Sequence, residues 1–548
     1  MRGSQRGGVR GVGLTASSSL QQLPDRAAAE TAAAHPHVDV GHPGEVARFY
    51  RGRSILVTGA TGYMGKVLVE KLLRECPDVA AIYVLLRPAG GHQVGERLRE
   101  LLDTPVFETV RRRHPQSLSK LVAVHGDAAS PGLGLSPSDR VRLTEAVSVV
   151  FHLAASVRFN EHLRAAFDVN VRGTQAVLQL CRGMSRLAAL VHVSTAFCNC
   201  TRDRVEEAVY PPPMPAAELQ RLLDGMDDKQ VEEVTPGLLG GLPNTYTFTK
   251  AVAEALVVDE AKGLPVVIVR PSIVVPAWRE PSPGWVDSLN GPLGPWVAIG
   301  QGTLRCVFGD GAKVADLVPV DVCINLALAA AWHRHALPEV AQGRPNPGVM
   351  VYHSVSGATN PVTWGAVTAK WVDAVRERPY ARALMYPTAS FTRSRLYHRL
   401  CTSAGVVLPA HLLDIVGRLK GEKFKGLAAR ISRQNRAMRP FDFFTSHEWA
   451  FPDDNARSLW SRMGAADRAA FPFGLGELDW GEYVKVVLDG TKRFILKEGR
   501  QDPQTQSAVR ARLESFCLRM YMFHRLLTLL SLPLPVAILA ARPLFSKL

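Results

Sequence analysis

Tyr246 and Lys250 form the pattern Y-x-x-x-K, the arrangement in this chain best suited to moving a proton. Residues four apart on a helix lie on one face, so both side chains would point to the same place. A lysine ammonium favours the phenolate and so lowers the pKa of a neighbouring tyrosine. The tyrosine can then donate a proton to a carbonyl oxygen at neutral pH. The pattern is common by itself, and its meaning depends on what surrounds it.

Two hydroxyl side chains, Ser194 and Thr195, lie near the end of a predicted strand over residues 189–197. A hydroxyl group there would hold the oxygen atom that receives the proton. Successive side chains of a strand point to opposite faces of the sheet, so we expect one of the two to face the site. We favour Thr195 over Ser194 for this role.

The stretch ILVTGATGYMG at residues 55–65 predicts where a cofactor binds. A short apolar strand is followed by a glycine turn and then by helical spacing. Gly59 would turn the chain tightly, Gly62 would let the backbone approach a pyrophosphate, and Gly65 would let the helix pack close to the sheet. The predicted cofactor site also includes Thr58, Thr61, Tyr63 and Met64. The spacing is G-x-x-G-x-x-G, and a purely structural turn is the alternative.

Residues at the ends of later strands extend the predicted cofactor site. The second strand ends at Arg87, where an NAD-binding unit usually carries an acidic residue for the ribose 2′-hydroxyl. An arginine pairs instead with a 2′-phosphate, so this position favours NADPH, with a surface arginine as the alternative. Asp127 ends the third strand and can accept a hydrogen bond from an adenine amino group. Small Ala154 and Ala155 leave room for the cofactor at the fourth strand, and Pro271 ends the regular part of the sixth.

Alternating strand and helix patterns must position these residues, and they predict an α/β fold with a doubly wound parallel Rossmann sheet. A chain of 548 residues is too long for one core, so we expect two domains plus tails. The net charge of +15 suits an acidic membrane surface or a phosphate-bearing substrate. Lysines and arginines are spread along the chain without a nucleic-acid motif, so we expect no nucleic acid. The eight cysteines have no repeated spacing, which predicts reduced thiols and no metal site.

Several segments together resemble the alcohol-forming fatty acyl-CoA reductases of the extended short-chain dehydrogenase/reductase superfamily. Within residues 49–345 they are TGATGYMGKVLVEKLLR, LLRP, HLAASVRF, VNVRGT, HVSTAF, YTFTKAVAE, VRPSIV and DLVPVDVCIN. Further on, YHSVSGATNPVTW, HEWAFPDDNARSLW, FPFGLGELDWGEYV and GTKRFILKE resemble the C-terminal domain special to these reductases. The resemblance implies an extended short-chain dehydrogenase fold followed by that smaller, mostly helical domain.

The resemblance also implies a four-electron reduction of a long-chain or very-long-chain acyl-CoA to a primary alcohol, feeding wax ester, ether lipid or surface lipid synthesis. Hydride from NADPH attacks the thioester carbonyl while Tyr246 and Thr195 stabilise the oxyanion. Coenzyme A leaves the thiohemiacetal, and a second NADPH reduces the aldehyde with Tyr246 as proton donor. Lys250 can also bond the nicotinamide ribose. The alternatives are an aldehyde-forming reductase, a nucleotide-sugar or steroid dehydrogenase of the same superfamily, and a membrane-bound protein that binds NADPH and acyl-CoA without turnover.

We predict a flexible leader at 1–48, which is either a targeting segment or a plain extension, and an NADP-binding Rossmann reductase domain at 49–350. The C-terminal domain would occupy 351–500, and an amphipathic or apolar tail 501–548. Residues 201–243 break the alternation and are interpreted as an insertion over the site. The aromatic residues of 370–500 are interpreted as core rather than as an acyl tunnel; they are Trp449, Phe451, Trp460, Phe471, Phe473, Trp480 and Tyr483.

The tail predicts where the protein resides. Residues 526–541 are apolar but short for a span and interrupted by prolines, which favours an interfacial or hairpin anchor over a packed tail or a true span. The chain ends in Ser546, Lys547 and Leu548, the tripeptide that a peroxisomal import receptor reads. We therefore expect a membrane-associated peroxisomal protein, with the endoplasmic reticulum membrane or a plastid as alternatives.

Overall fold

A computed structural model of the chain describes residues 44–337, 348–419, 426–499 and 503–530. Its strands are β1 (Ser54–Thr58), β2 (Ala81–Leu86), β3 (Leu121–His125), β4 (Val147–His152), β5 (Ala189–Val193), β6 (Val266–Pro271), β7 (Ile273–Val275), β8 (Cys306–Phe308), β9 (Leu317–Pro319), β10 (Met350–Ser354) and β11 (Ser390–Thr392). Seven strands form one parallel sheet in the order β10-β6-β5-β4-β1-β2-β3. β7 pairs with β9, and β8 pairs with β11.

The doubly wound parallel fold predicted from the sequence is confirmed. The chain runs outward from β1 through β2 to β3, then crosses back to β4 and continues through β5 and β6 to β10. Strand order therefore reverses between β1 and β4, where Thr58 lies beside His152. In open α/β sheets the crevice at the carboxyl ends of the strands at such a reversal is where a ligand binds.

Helices cover the sheet and complete its core. Alternate residues of β1 enter different apolar clusters: Ile55 and Val57 pack into one, and Leu56 into the other, so both faces of the sheet are buried. The helices are Glu45–Tyr50, Tyr63–Glu75, Val94–Asp103, Glu108–Arg113, Pro137–Ala146, Leu163–Phe167, Gly173–Arg182, Ala216–Asp224, Asp228–Leu238, Thr245–Glu260, Leu293–Gly300, Val320–Ala336, Trp364–Glu377, Arg395–Thr402, Leu408–Leu419, Leu427–Met438, Asp442–Ser446, Asp454–Arg462, Ala465–Ala470, Trp480–Gly490 and Pro503–Leu530.

Two predicted boundaries differ from the structure. The boundary at 350/351 cuts β10, which pairs with β6 and belongs to the sheet. The helix Glu45–Tyr50 begins inside the predicted leader, because Val46 and Tyr50 are buried and the Asp467 carboxylate accepts hydrogen bonds from the Glu45 and Val46 backbone N–H groups, both at 3.0 Å. Residues 1–43 lie outside the described residues.

The region after Ser354 is mostly helical, as the sequence predicts, but it shares its core with the sheet. Trp371 and Tyr483 are buried in the same apolar cluster as Ile55 of β1. Among the described residues, one helical stretch, Arg395–Leu419, is long and apolar enough to cross a membrane by length and composition, which alone is weak evidence for a span. The predicted anchor at 526–541 extends beyond the described residues, and so does the terminal tripeptide.

Candidate active site

The helix Thr245–Glu260 positions the predicted acid–base pair. Its first turn is capped by Asn244, whose side-chain oxygen accepts a hydrogen bond from the Thr247 N–H at 2.9 Å. One turn further, the Lys250 ammonium donates to the Val193 carbonyl at 2.8 Å, which ties the helix to the carboxyl end of β5. Tyr246 therefore faces the cavity at the end of the central strands.

The electrostatics of the pair differ from the sequence expectation. Burial raises the pKa of Tyr246 above its ordinary value, and a hydrogen bond with Thr195 opposes this only in part. The lowering of the tyrosine pKa that was expected from Lys250 is not found, because burial of the phenol is the largest cause of the shift and raises the pKa. Burial also lowers the pKa of Lys250 to about 8, although the Glu254 carboxylate works against it. Tyr246 therefore holds its proton at neutral pH, as a proton donor must.

Both predicted hydroxyl groups line the cavity, so strand alternation does not separate them. The regular strand ends at Val193, and a short helical turn begins at Ala196, which removes the strict alternation. Thr195 lies close enough to Tyr246 to oppose the rise of its pKa through hydrogen bonding, and it accepts a hydrogen bond from the Phe197 N–H at 3.3 Å. The Ser194 hydroxyl is buried without a hydrogen-bond partner among the described residues.

The glycine turn has the shape that a dinucleotide pyrophosphate needs. Gly59 has a φ of +74°, and a side chain there would lie 2.7 Å from the Ala154 backbone nitrogen. A side chain on Gly65 would lie 2.2 Å from the Gly59 carbonyl oxygen. The helix Tyr63–Glu75 begins after Gly62 without a side-chain cap, so its first N–H groups are available to phosphate oxygens. The cradle fits a nicotinamide dinucleotide.

The other predicted cofactor residues divide into two groups. Gly62, Tyr63, Met64, Ala155 and Pro271 line the cavity with Gly59 and Gly65. Thr58, Thr61, Ala154 and Lys250 lie next to these residues in the chain or behind them and are not part of the lining. Thr58 supports the lining without being part of it: its hydroxyl accepts a hydrogen bond from the Ala154 N–H at 3.2 Å and forms another with His152 at 2.7 Å.

Arg87 and Asp127 lie away from the cavity and contact each other. The guanidinium nitrogen of Arg87 is 3.1 Å from a carboxylate oxygen of Asp127, and the Arg87 side chain is 64% exposed. Both residues follow the carboxyl ends of neighbouring strands, β2 and β3. Their roles toward a 2′-phosphate and an adenine remain predictions, and an exposed pair of this kind separates at little cost.

The cavity has a volume of about 1310 Å³, which exceeds the range of about 300–1,000 Å³ common for a single small-molecule pocket. Beyond Tyr246 its walls are mainly apolar and come from distant segments. They include Leu293, Trp296, Ile299, Leu304, Phe308, Phe391, Val407, Met438, Phe441 and Phe444. The cavity therefore has room for a cofactor at the glycine turn and for an apolar ligand beyond it.

Sequence reasoning left the outer half of the cavity undecided. Leu293 and Trp296, from the glycine- and proline-rich segment 283–312, lie in the cavity wall. The seven aromatic residues interpreted as core do not line the cavity. The insertion 201–243 contributes no residue to the lining, and its Leu219 and Val231 pack in a cluster with Phe197. Its position over the site stays a prediction.

Two buried polar groups that support the site were not predicted. Asn170 donates to the Thr249 hydroxyl at 2.9 Å and to the Ser156 carbonyl at 3.2 Å. These bonds join the helix Thr245–Glu260, the catalytic helix, to the loop after β4. Arg270 forms two hydrogen bonds with Glu254, at 2.8 and 2.6 Å, and both side chains are at most 1% exposed. A buried charge needs a partner, but the sequence does not reveal which acid and base meet.

The fold and the site together define a nicotinamide-dependent reductase of the extended short-chain dehydrogenase class. Two family profiles described as male sterility protein match residues 57–327, as an NAD-binding domain, and residues 406–498. The chain is 40% identical to fatty acyl-CoA reductase 1 of Xenopus laevis over 453 residues, covering 83% of this chain and 86% of that protein. It is 38% identical to fatty acyl-CoA reductase 2 of Bos taurus over the same shares of both chains.

Among solved structures, the terminal R domain of the myxalamid PKS-NRPS pathway aligns with a TM-score of 0.54 at 19% identity, covering 82% of this chain and 93% of that one. That similarity shows the fold alone. The identities over most of both lengths show more: this chain belongs to the fatty acyl-CoA reductase family. The resemblance seen in the sequence is thereby confirmed, and a nicotinamide cofactor follows from the NAD-binding profile.

Proposed function

We propose that this protein reduces a long-chain fatty acyl-CoA to the primary fatty alcohol and free coenzyme A, consuming two NADPH and two protons. The observation that carries the proposal is one cavity that joins the glycine turn, the Tyr246 and Thr195 hydroxyls and a long apolar wall. The cofactor, when bound, supplies hydride. The residues of this chain would bind the substrate, stabilise the oxyanion and donate the proton.

Tyr246 and Thr195 would hold the carbonyl oxygen and carry its charge as hydride arrives, because both hydroxyls can donate toward that atom. The Ser194 hydroxyl, buried without a partner among the described residues, can supply a third donor. Collapse of the thiohemiacetal breaks the C–S bond and leaves an aldehyde. Tyr246 then gives its proton to the aldehyde oxygen in the second reduction. Lys250 positions this end of the catalytic helix and can bond the nicotinamide ribose.

NADPH is proposed over NADH because of Arg87. Its guanidinium is largely exposed, and among the described residues it pairs with Asp127 alone, so it can turn toward a 2′-phosphate. Replacing Arg87 by alanine should raise the KM for NADPH about tenfold and leave the KM for NADH nearly unchanged. Equal changes for both cofactors would contradict this role.

The test of the activity is a product assay on the purified full chain. NADPH and a series of acyl-CoAs from short to very long are incubated with the enzyme, and products are identified by mass. We expect fatty alcohol, about two NADPH oxidised per acyl-CoA, and loss of product in Tyr246→Phe. The matched control is Tyr386→Phe, a partly buried tyrosine outside the cavity, which should retain activity. Aldehyde with one NADPH would support a single-step reductase, and no oxidation with any acyl-CoA would overturn the proposal.

We also propose a peroxisomal, membrane-associated location, on the sequence of the tail alone. The signal would be Ser546, Lys547 and Leu548, read by an import receptor. Imaging of the tagged full chain with and without these three residues tests the proposal. An unchanged distribution after their removal would overturn it.

A further inference from the structure

The described part of the chain concentrates its exposed apolar side chains on one helical stretch. Fourteen large hydrophobic residues are exposed, and eight of them fall within residues 396–419. Six of the eight, which we call the leucine face, recur at intervals of three, four or eight residues and so share one side of the helices: Leu396, Leu400, Leu408, Leu412, Ile415 and Leu419. Their exposed fractions lie between 51% and 83%. A contiguous apolar patch of this kind marks an interaction surface.

The opposite side of the stretch is anchored to the protein. Val406 and Ala410 are buried against Leu427 and Ile431 of the following helix. The Asp414 carboxylate accepts hydrogen bonds from the backbone N–H groups of Leu427 and Ala428, at 3.0 and 3.1 Å. A transmembrane orientation would break these bonds or carry a carboxylate into lipid. The geometry therefore favours a helix that lies along a surface with one face outward.

The surroundings of the leucine face are basic. Seven exposed arginines belong to this stretch and to the segment 426–439 that packs beside it: Arg395, Arg399, Arg418, Arg430, Arg433, Arg436 and Arg439. The described residues from 395 to 442 contain two carboxylates, and both are engaged within the protein. Asp414 caps the following helix, and Asp442 pairs with Arg395 at 3.3 Å.

The same helices border the outer end of the substrate cavity. Arg395, Arg399, Val407, Arg436 and Met438 line that cavity, so its outer wall and the leucine face belong to the same helices. A long acyl chain partitions into membranes, while its coenzyme A carries phosphates. An amphipathic ligand of this class would meet apolar and basic groups together at this end of the cavity.

We propose that the leucine face docks the protein on the surface of a bilayer that contains anionic phospholipids, with the arginines on the headgroups and the apolar side chains among the acyl chains. The leucine face lies in a different part of the sequence from the predicted anchor at 526–541. That docking also delivers substrate to the cavity rests on the proposed function. A second copy of the chain is the rival occupant, but a two-fold contact would bring arginines against arginines, and the described residues of this region offer no free carboxylate to match them.

The test uses hydrogen–deuterium exchange of the full chain with vesicles of phosphatidylcholine alone or mixed with phosphatidylserine. We expect peptides across 396–419 to gain protection with the anionic vesicles, less at high salt. The triple variant Leu400→Gln, Leu412→Gln and Ile415→Gln should lose that protection and bind vesicles about tenfold or more weakly. None of these three side chains lines the cavity. The matched control is Val141→Gln with Val258→Gln, two exposed apolar residues elsewhere, which should bind like the parent protein.

Two outcomes would overturn the docking proposal. One is unchanged exchange across 396–419 while the protein is bound to vesicles; the other is a dimer in mass photometry that the triple variant abolishes. Turnover of a short, soluble acyl-CoA without vesicles is measured in parallel and should be equal in the parent and the triple variant. If neither protein turns over acyl-CoA, the proposed function fails, and the exchange result still decides the docking.

Discussion

Replacing Arg270 by methionine should destabilise the protein severely, because it leaves the Glu254 carboxylate buried without a partner. Arg270 is fully buried, and its guanidinium bonds Glu254 twice. It also donates to the Glu206 and Ala208 carbonyls, both at 2.9 Å, and so fastens the insertion to the catalytic helix. Breaking a buried ion pair by removing one partner costs about 3–5 kcal/mol.

The size of the loss can be worked out independently from protonation. A carboxylate left in this site can remain buried by binding a proton. For a glutamate, which ordinarily titrates near pH 4.3, that costs about 4 kcal/mol at pH 7.5. Because the folded variant binds this proton and the unfolded chain does not, stability falls as pH rises, by about 1.4 kcal/mol per unit. The free energy of unfolding lost by the variant, relative to the parent protein, should therefore be small at pH 5 and large at pH 8.

Urea unfolding followed by tryptophan fluorescence, at pH 5.5 and pH 8, measures both effects. The double variant Arg270→Met with Glu254→Met should recover most of the loss of the single variant, since it replaces the ion pair by apolar groups. As a matched control, Arg204→Met removes an arginine from an exposed pair with Glu206 and should change little. A loss for Arg270→Met that is independent of pH, or a double variant equal to the sum of the singles, would refute the reasoning.

Three further predictions concern the site. The pH profile of kcat/KM should fall above about pH 8, where Lys250 loses its proton. If the variant Lys250→Arg keeps activity, its profile should lack this fall. A fall at the same pH in the variant would show that another group is responsible. Thr195→Val should lower kcat by about 100-fold or more, and Ser194→Ala by less, because Thr195 interacts with Tyr246 and the Ser194 hydroxyl has no hydrogen-bond partner among the described residues. Equal losses in a steady-state assay would contradict this ranking. Gly65→Ala should lower the free energy of unfolding by about 1–3 kcal/mol or prevent folding, because its Cβ would lie 2.2 Å from a backbone oxygen. An unchanged thermal midpoint and an unchanged NADPH affinity would contradict the close packing.

Much of the inner half of the site could be predicted because it depends on local geometry. Tyr246 and Lys250 are related by helical periodicity, and Gly59, Gly62 and Gly65 by the steric needs of a strand, a turn and a helix within eleven residues. The parallel, doubly wound class of the sheet followed from the alternation of strands with helices. None of these inferences required knowing which distant residues meet.

Local patterns could not predict the direction of the pKa shifts in the site or which side chains contact each other. The pKa of Tyr246 depends on how deeply the phenol is buried, and burial reverses the shift expected from Lys250 alone. Whether Ser194 or Thr195 faces the site depended on where β5 ends, and both line the cavity. Arg87 and Asp127 were assigned separate cofactor roles, yet they lie close enough to pair.

The sequence by itself determined the fold class, the cofactor turn, the acid–base pair and the family resemblance, because each of these depends on residue type and on spacing over short stretches of the chain. Only the tertiary structure decided the outer cavity, the Arg270–Glu254 pair and the leucine face. The first two join residues from separate parts of the chain, and the third depends on which side of a helix remains uncovered after packing. Such contacts are chosen by the mutual fit of whole elements, which no local pattern specifies.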